Sequence, residues 1–275
     1  MPFFYVPNLN PFRRKVYGYL RDPSIIMTPG GADSWIDKDK DIQELLSAAP
    51  AQVAAGVDVD LRSYCTPSNQ GSLSSCVGNA VADAIEIISA INGQGRNELS
   101  RLFVYAMARI LNGNLHQDAG TYIRSAFDSL TKFGICEESL WPYVNSKVYT
   151  SPSLLSQQRA RGHKIHSYYR IKSTGTQRIN DAIAALRAMK PVVFGCLLDK
   201  TFYDIKDMNP VGPPTGPSIG GHAMVIVGYQ KGNFIVKNSW GTRWGSQGYW
   251  TMTPDYLAWK NTWDIWVPTL GAEFR

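Results

Sequence analysis

The apolar residues of this chain change their spacing between its first and second halves. In the first half they recur every three or four positions, which is typical of amphipathic helices. After Pro142 and Pro152 most of them fall in short runs between Gly-rich turns, which is typical of strands. Segregated helices and strands predict an α+β fold with two lobes, a helical one and a β-rich one, and with a cleft where the lobes meet.

The same pattern places individual elements along the sequence. Helices are predicted near 41–49, from Ser74 or Ser75 to 91, and over 99–111, 121–133 and 178–190. Strands are predicted over 191–198, 223–230, 233–238 and 248–253. Residues 1–55 contain no long periodic helix, so we interpret them as an N-terminal extension, followed by a helical lobe over 56–165 and a β-rich lobe over 166–275.

Composition excludes several classes of protein. Aromatic residues make up 12% of the chain, which rules out a disordered protein, and no apolar run approaches the ~18 residues of a membrane span, so we expect no membrane partner. Four cysteines are too few for a disulfide scaffold and form no Cys-x-x-Cys pair, and we expect neither a metal nor another cofactor. No signal peptide is visible, and the sequence leaves open whether the protein stays in the cytoplasm or is exported by another route.

The net charge of +6 is concentrated in one region. Between Arg159 and Lys200 there are nine Lys or Arg residues and two Asp. Such an excess can attract an anionic ligand, but scattered basic residues are also typical of a solvated face. No nucleic-acid-binding motif accompanies them, so we expect no nucleic-acid partner.

Cys76 is a candidate nucleophile. It follows the polar loop Asn69–Ser75 and stands at the predicted start of a helix, where the positive end of the helix dipole stabilises a thiolate. A lone cysteine on an apolar helix is otherwise a small core residue.

His222 and Asn238 are candidate partners for this thiolate. They lie 16 residues apart on two predicted strands that a hairpin would make adjacent. The amide oxygen of Asn238 can then accept from one imidazole nitrogen and leave the other for the thiol. Trp240 can shield this hydrogen bond from water, and the side-chain amide of Gln70 can donate to a developing oxyanion together with the backbone N–H of Cys76.

These segments together resemble the papain-like cysteine peptidases, and more loosely their bacterial, cathepsin B-like members. The family reads Gln-Gly-x-x-x-Ser-Cys, His-Ala and Asn-Ser-Trp-Gly-x-x-Trp-Gly, which match the residues beginning at Gln70, His222 and Asn238. One of these motifs alone is weak, but three in the same order over roughly residues 57–255 are specific. The resemblance implies the papain-like two-lobed fold, with an antiparallel β-rich lobe, and a cysteine endopeptidase that forms an acyl-enzyme.

The resemblance also implies roles for single residues. Cys76 is the expected nucleophile, His222 the base and acid, Asn238 the residue that orients the imidazole, and Gln70 part of the oxyanion hole. The expected substrate-binding residues come from a loop that pairs with the substrate backbone, from the walls of the main side-chain pocket and from the Asn-Ser-Trp-Gly motif: Ala119, Gly120, Gly195, Ala223 and Trp240. For Gly120, a simple helix-entry turn is an equally good interpretation.

The sequence departs from the family pattern beside the nucleophile. Leu73 stands where many relatives have a disulfide cysteine, and Val77 replaces the usual Trp. As a substitute bridge we expect Cys65–Cys136. An insertion with paired histidines, which would imply exopeptidase activity, is not visible, and His163 and His166 fall in the wrong region; endopeptidase action is therefore expected.

The N-terminal extension resembles a pro-segment only in its place along the chain. It is rich in aromatic residues, which suggests that it packs on another surface: Phe3, Phe4, Tyr5, Phe12, Tyr17, Tyr19 and Trp35. We expect part of it to lie across or beside the cleft as an intramolecular inhibitor of a monomeric zymogen, so that a chain starting near Val57 gains activity. An arm packed on the back of the lobes is the alternative.

Two further interpretations of the whole chain stay open. One is a papain-like binding or regulatory module without turnover, and the other is an acyl transferase that uses the same triad. A peptide or protein is the expected partner in each case.

Overall fold

The structure of the chain is a computed structural model that describes residues 18–22, 39–48, 51–95, 98–271 and 274. Of the aromatic residues in the N-terminal extension, Tyr19 is among them. The others lie outside the described residues: Phe3, Phe4, Tyr5, Phe12, Tyr17 and Trp35. No helix in these ranges is both long enough and apolar enough to cross a membrane.

The described part of the chain has helices concentrated before residue 161 and strands concentrated after it. The helices are α1 (Ile42–Ala48), α2 (Cys76–Ile91), α3 (Arg101–Leu111), α4 (Ile123–Lys132), α5 (Leu154–Ala160), α6 (Gly175–Arg187) and α7 (Pro254–Ala258). The strands are β1 (Val59–Asp60), β2 (Ile165–Arg170), β3 (Val192–Leu198), β4 (Pro210–Val211), β5 (Gly220–Gln230), β6 (Asn233–Lys237), β7 (Tyr249–Met252) and β8 (Thr262–Leu270).

The strands form a single sheet in the order β2-β8-β3-β5-β6-β7-β4, with β1 paired to the end of β5. All pairings are antiparallel except that of β4 with β7. The hairpin of β5 and β6 pairs Gln230 with Asn233, so the two strands are adjacent as the sequence predicts.

The helix α2 lies at the centre of the molecule because it has almost no polar side. It is buried from Cys76 to Ile85 without interruption, and its small residues let α3 and β5 approach closely. Its start differs from the expected one in a detail. Ser75 is the N-cap residue, but its hydroxyl contacts Tyr143 and accepts from Asn79 instead of capping the helix.

The predicted elements agree with the structure to within a few residues, and six others were missed. The missed elements are β1, β2, β4, α5, α7 and β8. Strand β8 was missed because its sequence lacks a regular alternation of apolar and polar residues. Pro268 and the left-handed residue Asp264, with φ of +50°, interrupt it. The boundaries of the two lobes stay a prediction.

The expected Cys65–Cys136 bridge is wrong, because all four cysteines are free. The two side chains belong to different apolar clusters. The Cys65 thiol lies 3.4 Å from the hydroxyl of Tyr249, beside the sheet. Cys136 packs with α3, where its carbonyl accepts from the backbone N–H of Ser100. Each cysteine thus fills a small space in its own cluster.

We expect the denatured protein to take up four equivalents of iodoacetamide without prior reduction, because every thiol is free. Intact mass spectrometry measures the uptake, and a sample treated with reductant before alkylation is the control. Two equivalents without reductant and four with it would contradict the structure.

Candidate active site

Cys76 is the first residue of α2, and its side chain is fully buried where this helix packs on β5. The backbone N–H groups of Ala223 and Val77 face the thiol. The first amides of a helix have no partner within the helix, and their partial positive charge favours an anion. Cys76 thus lies at the start of a helix, and its thiol lies beside Ala223, the residue after His222.

His222 and Asn238 are joined by a buried hydrogen bond, with 2.8 Å between Nε2 and Oδ1. The same oxygen accepts from the backbone N–H of Ser239 at 2.8 Å, which identifies it as the oxygen of the amide. Nε2 must therefore carry a hydrogen, and in the neutral ring Nδ1 is left as the base. Nδ1 has no hydrogen-bond partner among the described residues.

Trp240 covers this hydrogen bond. Its ring centroid lies 5.1 Å from that of His222, and the side chain is fully buried. Expelled water strengthens a hydrogen bond because the local dielectric constant falls. Trp240 is also expected to bind substrate, and that role stays a prediction.

Gln70 is buried between the nucleophile loop and the strand end that carries Asn238. Its Oε1 accepts from the hydroxyl of Ser239 at 2.6 Å, and its Nε2 donates to the carbonyl of Leu73 at 2.9 Å. Since Nε2 has a second hydrogen, the amide can also serve as an oxyanion donor. The backbone N–H of Gln70 donates to the carbonyl of Ser239, which ties the loop to the β-rich side.

Residues 18–20 of the N-terminal extension lie over the cysteine. Thr121 donates to the Gly18 carbonyl at 3.1 Å and accepts from Leu20 at 3.0 Å, in a parallel pairing. A Cβ added to Gly18 would lie 2.6 Å from the Cys76 sulfur, and one added to Gly120, where φ is +90°, would lie 2.6 Å from the Gly18 oxygen. Both close approaches require glycine.

The side chain of Tyr19 fills a pocket between β3 and β5. A Cβ on Gly195 would lie 2.3 Å from its ring, and Gly195 pairs with Ala223 on β5. The Tyr19 hydroxyl donates to Oδ2 of Asp264 at 2.5 Å. Two of the expected substrate-binding residues, Gly120 and Gly195, therefore lie against residues 18–20, and a third, Ala223, pairs with Gly195. Ala119 lies in the same loop as Gly120 but is exposed.

Burial sets the protonation of the cysteine and the histidine. It raises the pKa of the Cys76 thiol to about 12, and the facing backbone N–H groups only partly oppose this effect. It lowers the pKa of His222 to about 4, although the hydrogen bond with Asn238 favours the charged ring. With residues 18–20 in place, both groups are therefore neutral at pH 7.

Two arginines hold the N-terminal extension to the body of the protein. Arg124 on α4 binds both Asp22, at 2.6 Å, and Asp39. Arg170 on β2 also binds Asp39, at 2.9 Å. Both guanidinium groups lie over the ring of Trp266, 5.0 and 5.3 Å from its centroid.

Sequence reasoning missed Asp118, which connects three parts of the site. Its carboxylate accepts from the backbone N–H of Ser74 and from the hydroxyl of Tyr105, both at 2.9 Å. The same hydroxyl accepts from the backbone N–H of Gly120 at 3.1 Å. No sequence signal distinguishes Asp118 from any other loop aspartate.

Sequence reasoning also missed the ion pair of Lys237 with Asp83. Lys237 precedes Asn238, and both members of the pair are buried, with Ser68 donating to Asp83 at 3.1 Å. A signal was available, because Asp83 interrupts an otherwise apolar helix and a buried charge requires a partner.

Comparisons with known proteins agree with this geometry. The sequence profile of a family described as papain family cysteine protease matches residues 55–263. An uncharacterized peptidase C1-like protein of Acanthamoeba polyphaga mimivirus is 35% identical over 213 residues, which cover 72% of this chain and 68% of that protein. Cathepsin K of Gallus gallus is 27% identical over 207 residues, which cover 72% of this chain and 58% of its own length.

A search of solved structures finds the same architecture. The crystal structure of xylellain, a cysteine protease from Xylella fastidiosa, has a TM-score of 0.74 and 27% sequence identity, and the match covers 94% of this chain and 98% of that one. The predicted α+β, papain-like two-lobed fold is therefore confirmed. The finer cathepsin B-like assignment stays a prediction.

We expect Lys237→Met to lower the free energy of unfolding by about 3 kcal/mol, because it leaves the Asp83 carboxylate buried without a cation. Urea unfolding at pH 7 measures the change. The matched control is Lys206→Met at an exposed lysine, where we expect a change within about 0.5 kcal/mol. Equal effects of the two substitutions would show that the ion pair does not stabilise the fold.

Proposed function

Because the chain belongs to the papain family of cysteine proteases, we propose that it hydrolyses peptide bonds with Cys76 as nucleophile, His222 as base and acid, and Asn238 as the residue that orients the imidazole. The observation that carries the proposal is the buried hydrogen bond of 2.8 Å between His222 and Asn238, one residue from the amide that faces the Cys76 thiol. It leaves Nδ1 of His222 without a proton and without a hydrogen-bond partner among the described residues, on the residue next to the one whose backbone N–H faces the thiol.

The proposed reaction has two halves. In the first, Nδ1 of His222 takes the proton of the Cys76 thiol, and the sulfur attacks the substrate carbonyl carbon. The oxyanion that forms is held by the backbone N–H of Cys76 and the side chain of Gln70. The imidazolium then gives its proton to the leaving amine, the C–N bond breaks, and an acyl-enzyme thioester remains.

In the second half, water replaces the amine. The imidazole takes a proton from water as the water oxygen attacks the thioester. The C–S bond then breaks, the imidazolium returns its proton to the departing sulfur, and a carboxylic acid and the thiol are released. Asn238 keeps Nε2 protonated in both halves, so that Nδ1 always faces the reaction. Cleavage within a peptide chain is the mode we propose, in line with the sequence.

We further propose that the N-terminal extension restrains this activity. Gly18 lies against the Cys76 sulfur, and Tyr19 fills the neighbouring pocket. Their presence supports both steric exclusion of a substrate and suppression of the reactive ionic forms, since a desolvated thiol and imidazole stay neutral. Removal of the extension readmits water, and the thiolate–imidazolium pair can then form.

We expect Cys76→Ala to lower kcat/KM on peptide substrates by at least about 1,000-fold, because it removes the nucleophile. We expect Asn238→Ala to lower it by about 100-fold, because it removes the hydrogen bond that orients the His222 imidazole. Fluorogenic peptides measure both, in the Tyr19→Ala background if hydrolysis by the full chain is too slow. The matched control is Asn233→Ala, in the β5–β6 hairpin, which leaves the site intact.

The same assay separates the alternatives. If Cys76→Ala keeps the activity of the unaltered chain, the proposed nucleophile is wrong. If an added amine captures the acyl group in preference to water, the chain is an acyl transferase.

We expect Tyr19→Ala to speed alkylation of Cys76 by iodoacetamide at pH 7 by about tenfold or more, because each unit by which the thiol pKa falls raises the thiolate fraction tenfold. The thiolate is the reactive form, so a pKa near 12 makes the rate in the unaltered chain rise with pH throughout pH 5–9. In the variant the rate should level off within this range. Peptide mass mapping after timed quenching measures it.

Tyr149→Ala is the control for this experiment, since it removes the same atoms from an exposed tyrosine. The buried Cys136 serves as an internal reference, because it packs in a different apolar cluster from Tyr19. Equal rates for Cys76 in both variants would show that residues 18–20 do not restrain the thiol.

A further inference from the structure

The groove that holds Gly18 has two walls, which come from different loops. A Cβ added to Gly18 would lie 2.6 Å from the carbonyl oxygen of Ser74, and one added to Gly120 would lie 2.6 Å from the carbonyl oxygen of Gly18. Ser74 precedes α2, whereas Gly120 precedes α4. The spacing of these two loops therefore decides whether a peptide backbone fits between them, next to the Cys76 sulfur.

A chain of hydrogen bonds joins the two walls. The backbone N–H of Gly120 donates to the hydroxyl of Tyr105 at 3.1 Å, and this hydroxyl donates to Oδ1 of Asp118 at 2.9 Å. The same carboxylate oxygen accepts from the backbone N–H of Ser74 at 2.9 Å. Backbone donors from both walls are thus connected through one carboxylate, and each bond of such a chain polarises the next.

The phenol in this chain of bonds is held in place from α3. Tyr105 and Arg109 are both fully buried on that helix, and the guanidinium lies 3.9 Å from the centroid of the phenol ring. Arg109 also donates to the carbonyls of Leu115 and Gln117, at 2.8 and 3.0 Å, which fixes the loop before α4. Burial, together with the neighbouring Asp118, raises the pKa of Tyr105 above its ordinary value, so the hydroxyl stays a donor.

No disulfide shares this task. All four cysteines are free, so none of them ties the loop before α2 to the loop before α4. Gly120 has a φ of +90°, and a glycine has more conformational freedom than any other residue unless its surroundings restrain it. The hydrogen bonds of Tyr105 and Asp118 supply that restraint.

We propose that Asp118 and Tyr105 are positioning residues, which hold Ser74 and Gly120 at the spacing that a bound peptide backbone requires. The inference rests on the proposed function and concerns how the same site binds its peptide. Without these hydrogen bonds the two loops must become ordered when the peptide binds, and the entropy lost in that step weakens binding. The hydrogen bond that orients His222 involves neither residue, so the chemical step should change little.

The test uses the full chain with Tyr19→Ala as the parent and measures kcat and KM on one fluorogenic peptide. Asp118→Ala removes the shared acceptor, and Tyr105→Phe removes only the hydroxyl. Each of these substitutions should raise KM at least about tenfold and change kcat less than about threefold. Asp118→Asn keeps an acceptor oxygen for both donors, so its KM should stay within about threefold of the KM of the parent.

Tyr168→Phe is the matched control. Tyr168 on β2 donates to Oδ1 of Asp128 on α4 at 2.6 Å, in a half-buried pair of the same chemistry. Its loss should lower the free energy of unfolding and leave KM unchanged, and urea unfolding of both Tyr→Phe variants measures the loss of stability. A rise in KM with Tyr105→Phe no larger than that with Tyr168→Phe would show a merely structural role and overturn the proposal.

Alkylation separates this inference from the proposed function, because it needs the Cys76 thiol but no turnover. In the unaltered chain Gly18 lies between the two walls and against the sulfur, so a looser groove exposes the thiol more often. Tyr105→Phe should speed alkylation by iodoacetamide at pH 7 by about tenfold, and Tyr168→Phe should leave the rate unchanged. Equal rates in these two variants overturn the positioning role, while hydrolysis that depends on Cys76 leaves the proposed function standing. Faster alkylation without hydrolysis by any variant supports the positioning role and overturns the proposed function.

Discussion

The packing of α2 against β5 is the contact on which the rest of the site depends. The helix brings a cysteine and its first backbone amides, and the strand brings His222 and the amide of Ala223. Small residues along α2 allow the approach, and the ion pair of Asp83 with Lys237 joins the same helix to β6 next to Asn238. This contact also positions the loops that precede α2 and follow β6, which are joined by hydrogen bonds between Gln70 and Ser239. One helix–strand contact thus brings together residues that lie far apart along the chain.

Desolvation is the second physical effect that organises the molecule. Burial keeps the Cys76 thiol and the His222 imidazole neutral. In the proposed restraint, residues 18–20 exclude water together with a substrate, so their removal would change the protonation of both groups. The hydrogen bond that fixes the His222 tautomer is already made in this structure. The proposed restraint would therefore act on charge as well as on access to the cysteine.

The sequence predicts more of the architecture than of the contacts within the site. Periodicity alone identifies α2 and the central strands, and the spacing of His222 and Asn238 predicts their contact through a hairpin. Periodicity fails for β8, where a proline and a left-handed aspartate break the alternation. The free cysteines and the position of Asp118 are set by tertiary packing, which leaves no local trace in the sequence. Roles assigned from the motif spacing stay predictions until they are tested.

The shared binding of Arg124 by Asp22 and Asp39 has a consequence for how the proposed restraint would end. The two aspartates lie on either side of residues 23–38, so an intact backbone keeps residues 18–22 at a high effective concentration over the cleft. A single cut anywhere between the aspartates converts that intramolecular ligand into a separate peptide, whose occupancy then falls on dilution. Asp39 stays with the body of the protein and keeps its arginines neutralised. Activation by such a cut would therefore be irreversible in a dilute compartment and partly reversible in a crowded one.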